Sequence, residues 1–191
     1  MTILARLTEK SWEPGAQPVE RERPSAGTVG TLAYFGVATV MFTLLVAAYL
    51  MRMGLHGGGD HVHDWKPMPD PPLLWINTLV LIASSLAWEG ARRTHRGGAA
   101  IMGAALGMVF LAGQLLLWRH YQAAGYYLSA NPANAFFYLL TALHGLHLMG
   151  GLVAAGRALA AANMRNIALC ALYWHFLLIV WLVLAVLLLS T

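Results

Sequence analysis

Two histidines stand three apart in the apolar string His144-Gly145-Leu146-His147, and a third, His175, lies in the next apolar run. Imidazole is the commonest protein metal ligand and a hydrogen-bonding group at both ring nitrogens. Spacing of three puts His144 and His147 on one side of a helix, one turn apart. Helix rise places His147 and His175 at similar depths. Two kinds of chemistry compete. The imidazoles could share a metal or a haem, which needs further ligands or a facing pair from another helix. Alternatively they donate to carbonyls, hydroxyls or lipid phosphates, the commoner fate of a polar group inside a helix bundle. An electron path needs several facing pairs, and a centre that joins haem to a second metal needs more histidines still. No catalytic, cofactor-binding or metal-binding residue is therefore expected in this chain.

Other candidates are few. Glu89 precedes Arg92, Arg93 and Arg96, a pattern for an interfacial ion pair beside anionic lipid head groups. The string Asp60-His61-Val62-His63-Asp64, with His56, could form a surface metal site, but it follows three glycines and reads first as a polar loop. Cys170 is a lone cysteine in an apolar run, a small hydrophobe by default.

The elements that must position these residues follow from composition. The chain has 191 residues, 59% apolar and only 10% charged, where a soluble domain carries about 25% charged residues. Lipid is the expected solvent. Five nearly uncharged stretches, at about 28–51, 73–91, 99–118, 132–156 and 167–189, each suffice to cross a hydrocarbon core at about 20 residues. Pro72 and Pro132 sit at helix starts, where a missing N–H costs least. Residues 1–27 read as a polar cytoplasmic tail with no apolar h-region for a signal peptide, and 28–191 as one transmembrane domain.

Orientation follows from Lys and Arg. Arg6, Lys10, Arg21, Arg23, Arg92, Arg93, Arg96, Arg157 and Arg165 fall on one side, and Arg52, Lys66 and Arg119 on the other. This bias places the N-terminus in the cytoplasm and Thr191 in the periplasm. The expected fold is an all-α membrane protein, a five-transmembrane-helix bundle. Its basic residues lie between apolar runs, so nucleic acid is not an expected partner. Gly103, Gly107, Gly150, Gly151, Ala154 and Ala155 are expected to let helices approach closely.

Four ordered strings resemble one family. Pro71-Pro72-Leu73-Leu74-Trp75-Ile76-Asn77-Thr78 with Ser84-Ser85, Phe110-Leu111-Ala112-Gly113-Gln114, the segment from Phe136 through Thr141 to His144 and His147 with Gly150-Gly151, and Tyr173-Trp174-His175-Phe176 with Trp181 are similar to the haem–copper oxidase subunit III family in its short five-helix bacterial form. The resemblance implies a subunit without haem or copper. It would pack with subunit I, which holds those cofactors, and with subunit II in a bacterial inner membrane, and bind phospholipid in a cleft. The complex would reduce O₂ to water coupled to proton pumping. By the same resemblance Asn77, Gln114, His144, His147, Trp174 and His175 serve helix packing and lipid contact. Three family carboxylates are missing, at Ala38-Thr39, Leu117 and Leu178, so no proton role transfers to those positions. Two alternatives remain: an accessory subunit of a nitric oxide reductase, and an independent small transporter or haem protein.

The topology has a direct test. A cysteine introduced between Arg92 and Arg96 is expected to react with a membrane-impermeant thiol reagent only from the cytoplasmic side. Labelling of intact cells at that position would reverse the orientation.

Overall fold

Local signals start the helices. Ser25 Oγ accepts from the amide of Thr28 at 3.2 Å. Asn131 Oδ1 accepts from Ala133 N at 3.0 Å, with Pro132 occupying the first helical position. Both satisfy amides that a helix N-terminus leaves orphaned. In the computed structural model, which describes residues 25–54, 72–161 and 164–189, five helices form: α1 Ala26–Gly54, α2 Pro72–Thr94, α3 Gly97–Ala123, α4 Pro132–Ala160 and α5 Met164–Leu189. All five are long and apolar enough to cross a membrane, and no strand occurs among the described residues. The histidine-rich loop at 56–64 lies outside the described residues.

The helices outlast the apolar runs that announce them. α2 carries on through Arg92, Arg93 and Thr94, and α3 through Arg119, His120 and Tyr121. Hydropathy marks the hydrocarbon layer, while backbone hydrogen bonds continue into the polar interface. Between α2 and α3 the chain turns in two residues. His95 takes φ of 54°, the left-handed region unusual for a residue with a Cβ.

α2, α3, α4 and α5 pack as a ring, each against its two neighbours, and α1 lies outside in the groove between α4 and α5. Trp88, Phe110, Leu148, Trp174, Leu177 and Trp181 are the large side chains at the centre of the ring. α1 adds a smaller seam of Phe42 and Tyr49 against Leu140 and Leu184. Outward faces carry large apolar side chains on every helix, such as Val37, Leu79, Ile101, Leu146 and Ile179. Exposed apolar belts of this kind suit lipid and are rare on soluble monomers.

Lipid tails are as apolar as leucine, so close packing and not water exclusion must hold the ring together. Glycines make it possible. A Cβ on Gly103 would stand 2.7 Å from Trp88 Cδ1, and one on Gly107 would stand 3.2 Å from Trp174 Cζ2. Gly151 admits the ring of Tyr173, and Gly113 admits the amide of Asn77. Gly150 differs: nothing approaches within 4 Å of its missing Cβ, because it faces a cleft and not a helix.

Gly103→Ala is therefore expected to destabilise the bundle by about 1–3 kcal/mol, since Trp88 is fully buried and rigid. Gly150→Ala should be near neutral. The thermal midpoint in detergent checks both, and equal midpoints for the two variants would contradict this packing.

Candidate functional site

A hydroxyl has one proton and two lone pairs, so it can donate to one group while accepting from another. Three seams of the bundle use that capacity in the same way. Ser84 on α2 donates to the carbonyl of Gly103 at 2.6 Å and accepts the indole N–H of Trp174 at 2.8 Å. Thr78 donates to Leu74 O at 2.8 Å and accepts from Trp181 at 3.0 Å. Thr141 on α4 donates to Phe137 O at 2.6 Å and accepts from Trp118 at 3.1 Å. Asn77 adds an amide link, donating through Nδ2 to Gln114 Oε1 at 3.2 Å. Asn77, Gln114 and Trp174 thus lie closed inside the bundle, each joined to another helix.

The three imidazoles part company. His144 is fully buried, with its ring centre 5.9 Å from Phe110 and 5.1 Å from Trp181. His147 turns out of the ring toward α1. It lies 5.9 Å from the Tyr34 ring and 5.3 Å from Phe42, and its Nδ1 is 2.6 Å from Leu143 O. His175 faces α2, with Nδ1 2.6 Å from Ser85 Oγ and Nε2 3.3 Å from Glu89 Oε2. The spacing of three does put His144 and His147 one turn apart. The remaining rotation about the helix is enough to send one inward and the other into the α1 seam. Nor does His175 face either, its ring nitrogens lying against Ser85 and Glu89 of α2. Among the described residues, no three His, Cys, Asp or Glu side chains are grouped to hold a metal ion.

At the arginine-rich end Glu89 holds a denser network than an ordinary surface pair. Arg92 reaches it twice, through Nε at 2.8 Å and Nη2 at 2.6 Å, and Arg93 through Nε at 2.6 Å. With His175, this ties α2 to α5. Arg96 lies exposed just before α3. Glu89 is the one acidic residue among the described residues.

The family resemblance implies a cleft, but no sequence signal located its walls. A cleft of about 760 Å³ opens between α1, α4 and α5 at the same end, lined by Gly27, Gly30, Tyr34, Gly150, Gly151, Ala154, Arg157, Asn166 and Tyr173. Its floor is the small-residue stripe of α4. Tyr173 closes the deep end, donating to His147 O at 2.8 Å, while the hydroxyl of Tyr34 lies 3.3 Å from that of Tyr173. The one described carboxylate, on Glu89, is already shared by Arg92 and Arg93 on another helix, so Arg157 has none in the described bundle to pair with. The cleft is an apolar trough with a cation at its mouth.

No protein-family profile matches the chain. Curated proteins do. It is 32% identical to a cytochrome c oxidase subunit 3 of Thermostichus vulcanus, over 87% of this chain and 88% of that protein. It is 30% identical to a probable cytochrome c oxidase subunit 3 of Mycobacterium tuberculosis, over 85% and 86%. The chain belongs to the haem–copper oxidase subunit III family. A probable quinol oxidase subunit 3 of Staphylococcus saprophyticus is also similar, at 27% identity over 84% of this chain. Subunit III membership makes this multi-pass membrane protein part of a respiratory terminal oxidase complex with other subunits. Of the positions where the resemblance marks missing carboxylates, Thr39 is exposed, Leu117 is buried and Leu178 packs against the central cluster.

Ser84→Ala removes the acceptor of a buried indole N–H and frees the Gly103 carbonyl. It is expected to cost about 1–3 kcal/mol, the range for a buried group left unpaired. Trp174→Phe in the same background should recover part of that loss, because the orphaned donor disappears with the indole. Thermal denaturation of the two variants in detergent decides it, and a Ser84→Ala midpoint equal to that of the parent would remove the link from the account.

Proposed function

We propose that this subunit III carries no redox centre and serves a catalytic partner that does. It packs beside subunit I, the bearer of haem and copper, and subunit II in a bacterial inner membrane, with its N-terminus in the cytoplasm. The complex reduces O₂ and pumps protons. One observation carries the non-redox reading: the three intramembrane imidazoles enter three different seams, toward Trp181, Phe42 and Ser85, so their nitrogens do not converge. A shared metal or a bis-His haem would need a pair of them to face each other.

The second part of the proposal is phospholipid in the cleft. Arg157 supplies the charge for a phosphate, and the Gly150, Gly151 and Ala154 floor leaves room for acyl chains. A basic residue at a membrane surface attracts an anionic head group by about 1 kcal/mol. The remaining polar residues, from Asn77 to Trp174, act as ties between helices. One observation favours a nitric oxide reductase accessory subunit instead: side chains without a carboxylate at Thr39, Leu117 and Leu178 suit a complex with less proton traffic.

Purification of the complex tests both parts. The expected result is co-purification with haem- and copper-bearing subunits, consumption of O₂, and full haem content in His147→Leu and His175→Leu variants. Arg157→Gln is expected to retain about fivefold less anionic phospholipid by native mass spectrometry. Consumption of NO in place of O₂ would support the reductase, and haem lost with either histidine would end the non-redox reading.

A further inference from the structure

The cleft has a second polar station, deep to the first. Arg157 and Gly150 lie two turns apart on α4, about 10 Å by helix rise. Tyr34 of α1 overlooks the deep level, with its ring over His147 and beside Tyr173. Between the two stations the floor is glycine and alanine, so nothing separates them.

The hydroxyls at the deep station are unequal. Tyr173 has committed its proton to the carbonyl of His147 at 2.8 Å. Tyr34 has only the oxygen of Tyr173, at 3.3 Å, beyond the 2.5–3.0 Å of a well-made O–H···O bond. Its side chain is 39% exposed and lines the cleft. A poorly engaged O–H at hydrocarbon depth is costly unless an acceptor meets it. The wall that holds it there is fixed, because a Cβ on Gly151 would stand 2.6 Å from Tyr173 Cε1.

An anion at the mouth and a carbonyl acceptor a short way down an apolar body describe a diacyl glycerophospholipid. We infer that Tyr34 is a specificity-determining residue of the cleft, donating its hydroxyl proton to an acyl ester carbonyl of a lipid whose phosphate Arg157 holds. This rests on the phospholipid reading of the cleft and adds a selection that reading lacks. The site distinguishes ester-linked lipids, which offer a carbonyl, from ether-linked lipids of the same charge and length, which do not.

The experiment uses the whole purified complex, stripped by detergent exchange and offered equal amounts of phosphatidylglycerol and its dialkyl ether analogue. Bound lipid is counted by native mass spectrometry. The parent complex is expected to retain the ester form about three- to tenfold over the ether form, the worth of one neutral hydrogen bond. Tyr34→Phe should bring that ratio to one while lipid stays bound. Tyr173→Phe should keep the preference, since it removes only the competing acceptor. Arg157→Gln should lower both lipids alike. Equal retention by the parent, or a preference that survives Tyr34→Phe, would overturn the role of Tyr34 and leave the lipid cleft standing. Retention of neither lipid by the parent would overturn the cleft reading and this inference together.

Discussion

In hydrocarbon there is no water to accept a stray proton donor, so a polar group is costly there unless it finds a partner within protein or lipid. Three tryptophans in this chain meet that constraint by the same device. The indole N–H crosses to a hydroxyl on a neighbouring helix, and that hydroxyl sends its own proton to a backbone carbonyl. The device needs a small residue beside a large one. Ser84, Thr78 and Thr141 are short enough to stay close to the helix, and Trp174, Trp181 and Trp118 are long enough to reach across. Remove the hydroxyls and the tryptophans become buried orphans. Remove the glycines at 103, 107 and 113 and the helices cannot approach closely enough for the bonds to form.

α1 is held differently, and the cleft is the consequence. It meets the ring mainly through stacked side chains: Phe35 lies 4.4 Å from Phe176, and Tyr34 and Phe42 flank His147. Stacked rings tolerate a helix that leans. At the arginine-rich end α1 stays near α5, where Gly27 meets Leu169, while the missing Cβ of Gly150 on α4 meets nothing within 4 Å. The space between is the cleft. Within one stripe of α4, therefore, alternate small residues do opposite work. Gly151 admits a neighbouring ring, while Gly150 and Ala154 leave a surface for something that is not part of this chain.

The five spans were legible because a hydrocarbon core imposes length and composition at once, and the family strings from Pro71 to Trp181 gave their order. Spacing alone also put His144 and His147 on one side of α4. It could not say that a modest rotation between them divides core from seam. Depth by residue count matched His147 to His175, yet direction depends on which neighbour each helix turns toward, and that is settled by the whole packing of α5 between α1, α2 and α4. The lining of the cleft was invisible for a related reason. Its charged residue, Arg157, counts in sequence as one more topology signal, and its hydroxyls, Tyr34 and Tyr173, come from helices far apart in the chain.

The same packing bears on proton chemistry. A carboxylate inside the bundle would need a partner or a proton, since an isolated charge in hydrocarbon is prohibitive. At 117 the chain places a fully buried leucine among Leu74, Tyr121, Phe137 and Tyr138, and at 39 an exposed threonine. An acid at 117 would force repacking, whereas one at 39 would face out of the bundle. Beside the His144 imidazole, the central polar groups Asn77, Gln114, Ser84, Thr78 and Thr141 are hydroxyls and amides that carry no charge. The acid that survives among the described residues, Glu89, sits at the arginine-rich end, and its network reaches inward only as far as His175 and Ser85. Among the described residues, carboxylate chemistry is therefore confined to that end of the bundle, at Glu89 and the arginines around it.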